Sequence, residues 1–194
     1  MLKRIRSLVS NSDYIEIYDN VLTKKECEIL INQFEKSNPF DGYTSKGYSP
    51  EIKKCKQIEG SFEDNSVTSN IVKPHLISCI GKYGEKYPGL FEIDPWKYDD
   101  LYCTKKFESS DDGFKIWHCE QGPLYLENGK YSNRILVWMF YLNDAKSGTK
   151  FIHYPTVRAK MGRCIIWPAG WSHIHKSAPN KGLKYIISGW ISYR

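Results

Sequence analysis

The sequence predicts an α+β protein, mainly β, in which helices come first and a β barrel follows. Two patterns support this prediction. Residues before about Pro95 include two stretches with the apolar spacing of amphipathic helices, whereas short β-prone runs follow one another after it. Turn-forming segments such as SSDDG, ENGK and PNKG separate those runs, as is typical of a sandwich or a barrel.

The composition is that of a globular protein, because 41% of the 194 residues are hydrophobic and 14% are aromatic. We predict a single domain over residues 1–194, with a strand and supporting helices in 1–95 and the barrel in 96–194. No apolar run approaches the roughly 20 residues that a membrane-spanning helix needs. The six cysteines are scattered and form no CxxC pair, which predicts reduced thiols in a cytoplasmic protein.

The charge is mildly basic, at +6 from 28 basic and 22 acidic side chains. The lysines are spread along the chain and form no block, which favours a solvated basic surface over a nucleic-acid-binding patch. We therefore expect no nucleic-acid partner and no membrane partner, and the sequence leaves the oligomeric state open.

The first half opens with an alternating run at Tyr14–Tyr18, which predicts a short strand. Thr23 and Glu26 then form the pattern of a capping box ahead of apolar residues at helical spacing, which predicts an amphipathic helix. The many Gly, Ser, Pro and Lys residues between 39 and 66 predict a long irregular segment, either at the border of a binding site or as a surface loop.

A second helix is predicted within residues 69–91, with Pro74 in an early turn and Pro88 beyond its end. The strands of the barrel follow it. They are predicted at Tyr98–Lys105, Phe114–Cys119, Asn133–Leu142, Lys150–His153, Cys164–Trp167 and Leu183–Tyr193.

The segment FKIWHCEQG places His118 and Glu120 two residues apart in a strand-like run, so both side chains are expected on one face. An imidazole and a carboxylate on one face are two of the three ligands of the facial site that suits non-haem Fe(II). Alone, such a pair is more often two surface side chains than part of a metal site. His173 and His175 lie near the end of the chain, and either could supply a third ligand if a barrel brings the segments together.

Lys184 lies in the run LKYIISGW, which is otherwise almost entirely apolar. A lysine inside a barrel is costly without an anion, so this position, taken together with His118, Glu120 and His175, predicts an anion-binding pocket. Ser188 and Trp190 share its face by strand alternation. The alternative is a lysine at a strand end whose ammonium reaches solvent.

The order of these motifs resembles the 2-oxoglutarate- and Fe(II)-dependent oxygenases, most closely their prolyl-4-hydroxylase-like branch. The resemblance covers most of the chain, including YIEIYDNVLTKKECEILINQF and GRCIIWPAG. It implies a double-stranded β-helix, a jelly-roll or cupin-like barrel, with the N-terminal helices packed on one sheet. It also implies Fe(II), 2-oxoglutarate and O₂ as cofactor and cosubstrates, with ascorbate as a supporting reductant.

The resemblance also assigns residues. His118 and Glu120 match the H-x-[D/E] ligand pair, with Glu120 where the family more often has Asp, and HKSAP selects His175 as the third ligand. The catalytic and metal-binding residues are thus expected to be His118, Glu120 and His175. The residues expected to bind 2-oxoglutarate or line its pocket are Lys184, Tyr141, Ser188, Trp190 and Tyr102.

The implied reaction is hydroxylation of an unactivated C–H bond with release of succinate and CO₂, and the branch implies a prolyl residue in a peptide or protein. Two alternatives stay open. The same barrel could act on a free amino acid or another small molecule, or it could bind a metal or peptide without turnover.

Overall fold

The structure is a computed structural model, which describes residues 13–44, 47–93, 95–121 and 132–194. In these ranges the helices are α1 (Lys24–Lys36), α2 (Val67–Lys86) and α3 (Gly89–Glu92). The strands are β1 (Glu16–Tyr18), β2 (Phe40–Asp41), β3 (Lys53–Lys54), β4 (Lys56–Ser61), β5 (Trp96–Phe107), β6 (Gly113–Phe114), β7 (Arg134–Tyr141), β8 (Gly148–Phe151), β9 (Val157–Arg158), β10 (Cys164–Pro168), β11 (His175–Ser177) and β12 (Lys184–Tyr193).

The strands form one large sheet and two small ones. The large sheet has the order β1-β10-β7-β12-β5-β4-β2, and the pairings between its neighbours are antiparallel. The small sheets have the orders β11-β8-β9 and β3-β6. Phe151 and Val157 of the small sheet pack with Val137, Trp167 and other residues of the large sheet, so these two sheets enclose a core between them.

A second core lies on the other face of the large sheet, where the helices pack. Cys27, Leu30 and Phe34 of α1 are buried there at helical spacing, with Trp138 and Ile187 from the sheet. The predicted fold class is confirmed: two facing β layers form the double-stranded β-helix, and the N-terminal helices cover one of its sheets.

The start of α1 follows from its sequence. The Thr23 hydroxyl accepts a hydrogen bond from the Glu26 backbone N–H at 3.2 Å, and the Glu26 carboxylate accepts one from the Thr23 N–H at 2.8 Å. This is the predicted capping box, which satisfies two N–H groups that the first turn would otherwise leave without partners.

Residues 39–66 are more regular than predicted, because β2, β3 and β4 form within them. β4 extends the large sheet by pairing with β5, for example Gln57 with Lys105. Pro74 also differs from expectation, since α2 begins at Val67 and the proline lies inside the helix, beyond its first turn.

Alternation along β12 determines which side chains face the cavity between the layers. Tyr185, Ile187 and Ile191 point to the helical core, whereas Lys184 and Ser188 point the other way.

All six cysteines are free thiols, as expected for reduced cysteines. Among the described helices, none combines the length and hydropathy that a bilayer crossing requires.

Candidate active site

A cavity of about 630 Å³ opens between the large sheet and the small sheets. Its volume is within the roughly 300–1,000 Å³ usual for small-molecule sites. Its walls combine apolar side chains with a few polar ones that converge, the arrangement that fixes a ligand's orientation. His118, Glu120, His175 and Lys184 are all part of the lining.

The side chains of His118, Glu120 and His175 converge on one point. Glu120 Oε1 lies 3.6 Å from His118 Nε2 and 3.8 Å from His175 Nε2, and one ligand atom from each residue lies within 4.8 Å of the others. Contrary to the prediction, His118 and Glu120 do not belong to a regular strand. An isolated bridge holds the segment instead, in which His118 N–H donates to His175 O at 3.0 Å and His175 N–H donates to His118 O at 2.9 Å.

The hydrogen bonds of the two imidazoles fix their tautomers. His175 Nδ1 lies 2.9 Å from the carbonyl oxygen of His173, and His118 Nδ1 lies 3.1 Å from that of Ile116. A carbonyl oxygen can only accept, so each Nδ1 carries the hydrogen that it donates. Nε2 is therefore the ring atom directed towards Glu120 in both residues, and in the neutral ring it has the lone pair with which histidine binds a metal.

The carboxylate of Glu120 is held from the opposite side. Arg134 Nη1 donates to Glu120 Oε2 at 3.1 Å, and the guanidinium lies 3.5 Å from the ring centre of Trp190. This contact orients Oε1 towards the two imidazoles. Burial opposes ionisation, but the neighbouring side chains of His118, His175 and Arg134 outweigh it, so the pKa of Glu120 is lowered.

His175 is buried beside Trp167 and Phe151, with ring centres 5.0 and 5.8 Å away. Burial lowers the pKa of His175 to about 4, so its ring is neutral near neutral pH. His173 takes no part in the cluster through its ring, which contacts the Asp13 carbonyl at 2.7 Å and stacks on Tyr154. Its contribution is the backbone carbonyl that orients His175.

Lys184 is almost completely buried, with 2% of its surface exposed. Its ammonium donates to Ser147 Oγ at 3.0 Å and lies 4.5 Å from the ring centre of Phe107. Among the described residues, no carboxylate lies within ion-pair distance of it. Burial lowers the pKa of Lys184 to about 8, as expected for a cation that lacks an anion.

The overall likeness to known structures identifies the fold. A collagen prolyl hydroxylase from Paramecium bursaria Chlorella virus 1, solved as a 2-oxoglutarate complex, has a TM-score of 0.70, 18% identity, and coverage of 96% of this chain and 99% of its own. A Trichoplax adhaerens prolyl hydroxylase bound to a hypoxia-inducible-factor peptide has a TM-score of 0.72, 15% identity and coverage of 94% and 84%. A Pseudomonas putida prolyl-4-hydroxylase has a TM-score of 0.67, 9% identity and 92% coverage of both.

The chain has the fold of the 2-oxoglutarate- and Fe(II)-dependent oxygenases. The resemblance predicted from the motifs is confirmed at the level of the fold. No family model matches the sequence, and no curated protein matches it. The identities are low, so the activity depends on what this chain's own residues can do.

The cluster of His118, Glu120 and His175 in this cavity fits a divalent metal. Ligands at right angles and about 2.1 Å from one ion lie about 3 Å apart, and the observed 3.6 and 3.8 Å separations need only a small contraction. Two neutral imidazoles and one carboxylate leave half of an octahedron open, the donor set of non-haem Fe(II) sites. His118, Glu120 and His175 could therefore hold Fe(II).

The other predicted pocket residues have different positions. Tyr141 is buried, and its hydroxyl lies 2.7 Å from Thr149 Oγ1. Trp190 lines the cavity and stacks with Arg134. Ser188 lines it too, but its hydroxyl accepts a hydrogen bond from Lys105 at 2.8 Å and makes no bond to Lys184.

Tyr102 lies on the wrong face of β5 for the predicted contact with 2-oxoglutarate, and the structure corrects this prediction. Its ring packs against Phe62 in the helical core, and its hydroxyl lies 3.3 Å from Ser66 Oγ. Strand alternation is the reason, because odd-numbered residues of β5, such as Cys103 and Lys105, face the cavity.

Four cationic residues of the cavity were not predicted: Arg134, Lys53, Lys105 and Lys176. Arg134 is the first residue of β7, the next strand after Glu120 in the chain. Nothing in the local sequence around Arg134 indicates a contact with Glu120. Lys53 lies in the segment predicted to be irregular. Lys105 could have been found by applying the alternation rule to β5.

Proposed function

We propose that the protein is an Fe(II)- and 2-oxoglutarate-dependent dioxygenase that hydroxylates a prolyl residue of a peptide or protein. The observation that carries this proposal is the convergence of His118, Glu120 and His175 with both Nδ1 hydrogens committed to carbonyl oxygens. Those bonds leave two Nε2 lone pairs and one carboxylate oxygen aimed at a common point. When bound, iron and 2-oxoglutarate supply the oxidative chemistry, with succinate and CO₂ as products.

In this proposal the protein positions the reactants. His118, Glu120 and His175 bind the metal from one side and leave its other side open to the cavity. Lys184 binds the distal carboxylate of 2-oxoglutarate, with the Ser147 hydroxyl beside its ammonium. Apolar cavity residues such as Val137 exclude water from the reacting groups.

The prolyl substrate is proposed from the similarity to prolyl hydroxylase structures, one of which holds a peptide. The first test is succinate release from 2-oxoglutarate with Fe(II), ascorbate and a panel of proline-containing peptides. We expect a peptide of the panel to stimulate succinate release and to gain one oxygen atom by mass spectrometry. The His118→Ala variant should lose both signals, because it lacks one metal ligand.

Each other outcome points elsewhere. Succinate release that no peptide stimulates, and that His118→Ala abolishes, would contradict the prolyl substrate and support a small-molecule substrate. Metal binding without any succinate release would contradict the dioxygenase itself and leave a non-catalytic metal-binding barrel.

The role of Lys184 predicts a pH dependence. Its pKa is lowered to about 8, so the ammonium is charged below pH 8 and neutral above it. We expect the affinity of the Mn(II)-loaded protein for 2-oxoglutarate to be flat up to about pH 8 and then to fall about tenfold per pH unit. The measurement is the dissociation constant between about pH 7 and 9.5.

The control for this prediction is Lys184→Arg, because a guanidinium stays protonated over the whole range. Its curve should be flat. A flat curve for the unmodified protein would contradict the role of Lys184 as the anchor. A decline that persists in Lys184→Arg would assign the titration to another group.

A further inference from the structure

A second pair of cations lies on the cavity wall, apart from Lys184. Lys53 of β3 is 9% exposed, and its ammonium donates to the Tyr43 carbonyl at 2.9 Å and to Gln57 Oε1 at 2.6 Å. Lys105 of β5 donates to Ser188 Oγ at 2.8 Å. Both residues line the cavity.

The two lysines are close enough to repel each other. Gln57, which accepts from Lys53, is the cross-strand partner of Lys105 in the β4–β5 pairing. Burial, and next the charge of Lys105, lower the pKa of Lys53 to about 8. Like charges held together in a partly buried wall are destabilising unless an anion joins them.

No carboxylate of the described residues lies within ion-pair distance of Lys53 or Lys105. The nearby Glu59 instead accepts hydrogen bonds from the Tyr43 hydroxyl at 2.7 Å and from Gln57 Nε2 at 3.3 Å. Each ammonium has three hydrogens. The bonds described above use two on Lys53 and one on Lys105, so both lysines retain donors for a further acceptor.

The pair is separate from the anchor proposed for 2-oxoglutarate. Lys105 is the cross-strand partner of Ile186, which lies between Lys184 and Ser188 on β12, and its ammonium is directed to the Ser188 side, away from Lys184. The Lys184 ammonium bonds to Ser147, whereas the Lys105 ammonium bonds to Ser188. Once 2-oxoglutarate occupies Lys184, the second pair still lacks an anion.

We propose that Lys53 and Lys105 form a second anion site, which binds a carboxylate of the primary substrate. The substrate is then a prolyl peptide with an Asp or Glu side chain next to the proline. This inference rests on the proposed function, from which it takes the prolyl peptide and the assignment of 2-oxoglutarate to Lys184. Beyond the proposed function, it identifies the acidic residue next to the substrate proline as the determinant of peptide specificity.

The test uses binding, so that it does not depend on turnover. Protein loaded with Mn(II) and saturating 2-oxoglutarate is titrated by calorimetry with acetylated, amidated prolyl peptides that differ only in Glu or Gln beside the proline. We expect the Glu peptide to bind at least about tenfold tighter, as removal of a charged hydrogen-bond partner typically costs that much. A third peptide, with Gln beside the proline and a free carboxyl terminus, distinguishes a side-chain carboxylate from a terminal one and should bind like the amidated Gln peptide.

The variants Lys53→Gln and Lys105→Gln remove one charge each and keep a hydrogen-bond donor. Each should reduce the Glu preference to about twofold or less while leaving the affinity for Mn(II) unchanged, which also verifies that the variant is folded. Lys97→Gln is the matched control, because Lys97 is an exposed residue of the same strand β5. It should keep the full preference.

Three results would overturn the inference: equal binding of the Glu and Gln peptides, a preference that survives in both variants, or a Lys105→Gln variant that loses 2-oxoglutarate binding as strongly as Lys184→Met. The proposed function fails separately. A Glu preference without succinate release would contradict the dioxygenase activity and support the anion site. Peptide-stimulated succinate release without the preference would support the dioxygenase activity and contradict the anion site.

Discussion

Replacing Lys184 with methionine should abolish 2-oxoglutarate binding and stabilise the protein that lacks 2-oxoglutarate. The loss of affinity is expected to reach at least 100-fold, because the substitution leaves a buried carboxylate without its cation, a change of about 3–5 kcal/mol. The gain in stability has the same origin. A pKa that falls from 10.5 to about 8 corresponds to about 3 kcal/mol for holding the charge in this site.

Part of that gain is offset by the lost hydrogen bond to Ser147, which is worth about 1 kcal/mol. We therefore expect the free energy of unfolding in urea at pH 7 to rise by about 1–3 kcal/mol. Lys97→Met is the matched control at an exposed position, and its effect should stay within about 0.5 kcal/mol. A Lys184→Met variant that is less stable than the unmodified protein would mean that Lys184 has a structural role.

The same shift predicts how the gain depends on pH. Above pH 8 the folded protein begins to release the Lys184 proton, whereas the unfolded chain keeps its proton up to about pH 10.5. The unfolded state therefore binds more protons in this window, and the stability of the unmodified protein rises with pH. The advantage of Lys184→Met should shrink between pH 8 and pH 10.5.

The sequence predicted the parts of this fold that depend on local pattern. The capping box at Thr23 and Glu26, the alternation of β12 and the six strand runs after Pro95 are properties of short windows, and the structure contains strands or helices in each of these regions. Residues 39–66 escaped prediction because β4 is stabilised by pairing with β5, which the composition of the segment does not reveal.

The candidate site divides in the same way. His118, Glu120 and His175 could be proposed from motif order, but their convergence depends on the bridge between His118 and His175, across 57 residues of chain. The contact between Arg134 and Glu120 has no local signature. The error at Tyr102 was avoidable. Side chains alternate along β5, and Tyr102 lies on the face that packs against the helices, opposite to the face that lines the cavity.

Removal of His175 should strongly weaken metal binding, and His173 provides a control two residues away. If the roughly 10–16 kcal/mol of a four-ligand structural zinc site is shared equally, each ligand accounts for about 3 kcal/mol. We therefore expect His175→Ala to weaken Mn(II) binding by at least about 100-fold. Its measurement is a titration of metal-free protein by calorimetry.

His173→Ala should bind Mn(II) within about threefold of the unmodified protein, since orientation of His175 uses the backbone carbonyl of residue 173, which alanine retains. Its stability should fall instead, because the ring loses its hydrogen bond to the Asp13 carbonyl and its stacking on Tyr154. A buried hydrogen bond and an aromatic contact of this kind are each worth about 1 kcal/mol.

The comparison of these two variants separates a metal ligand from a supporting histidine. Equal and severe loss of Mn(II) binding in both would mean that the segment around the 3₁₀ helix Trp171–His173 collapses when either ring is removed, and His175 could not then be assigned as a ligand. Loss only in His173→Ala would reverse the assignment. Loss only in His175→Ala, with the stability penalty confined to His173→Ala, requires that His175 Nε2 binds the metal while residue 173 holds the ring in place.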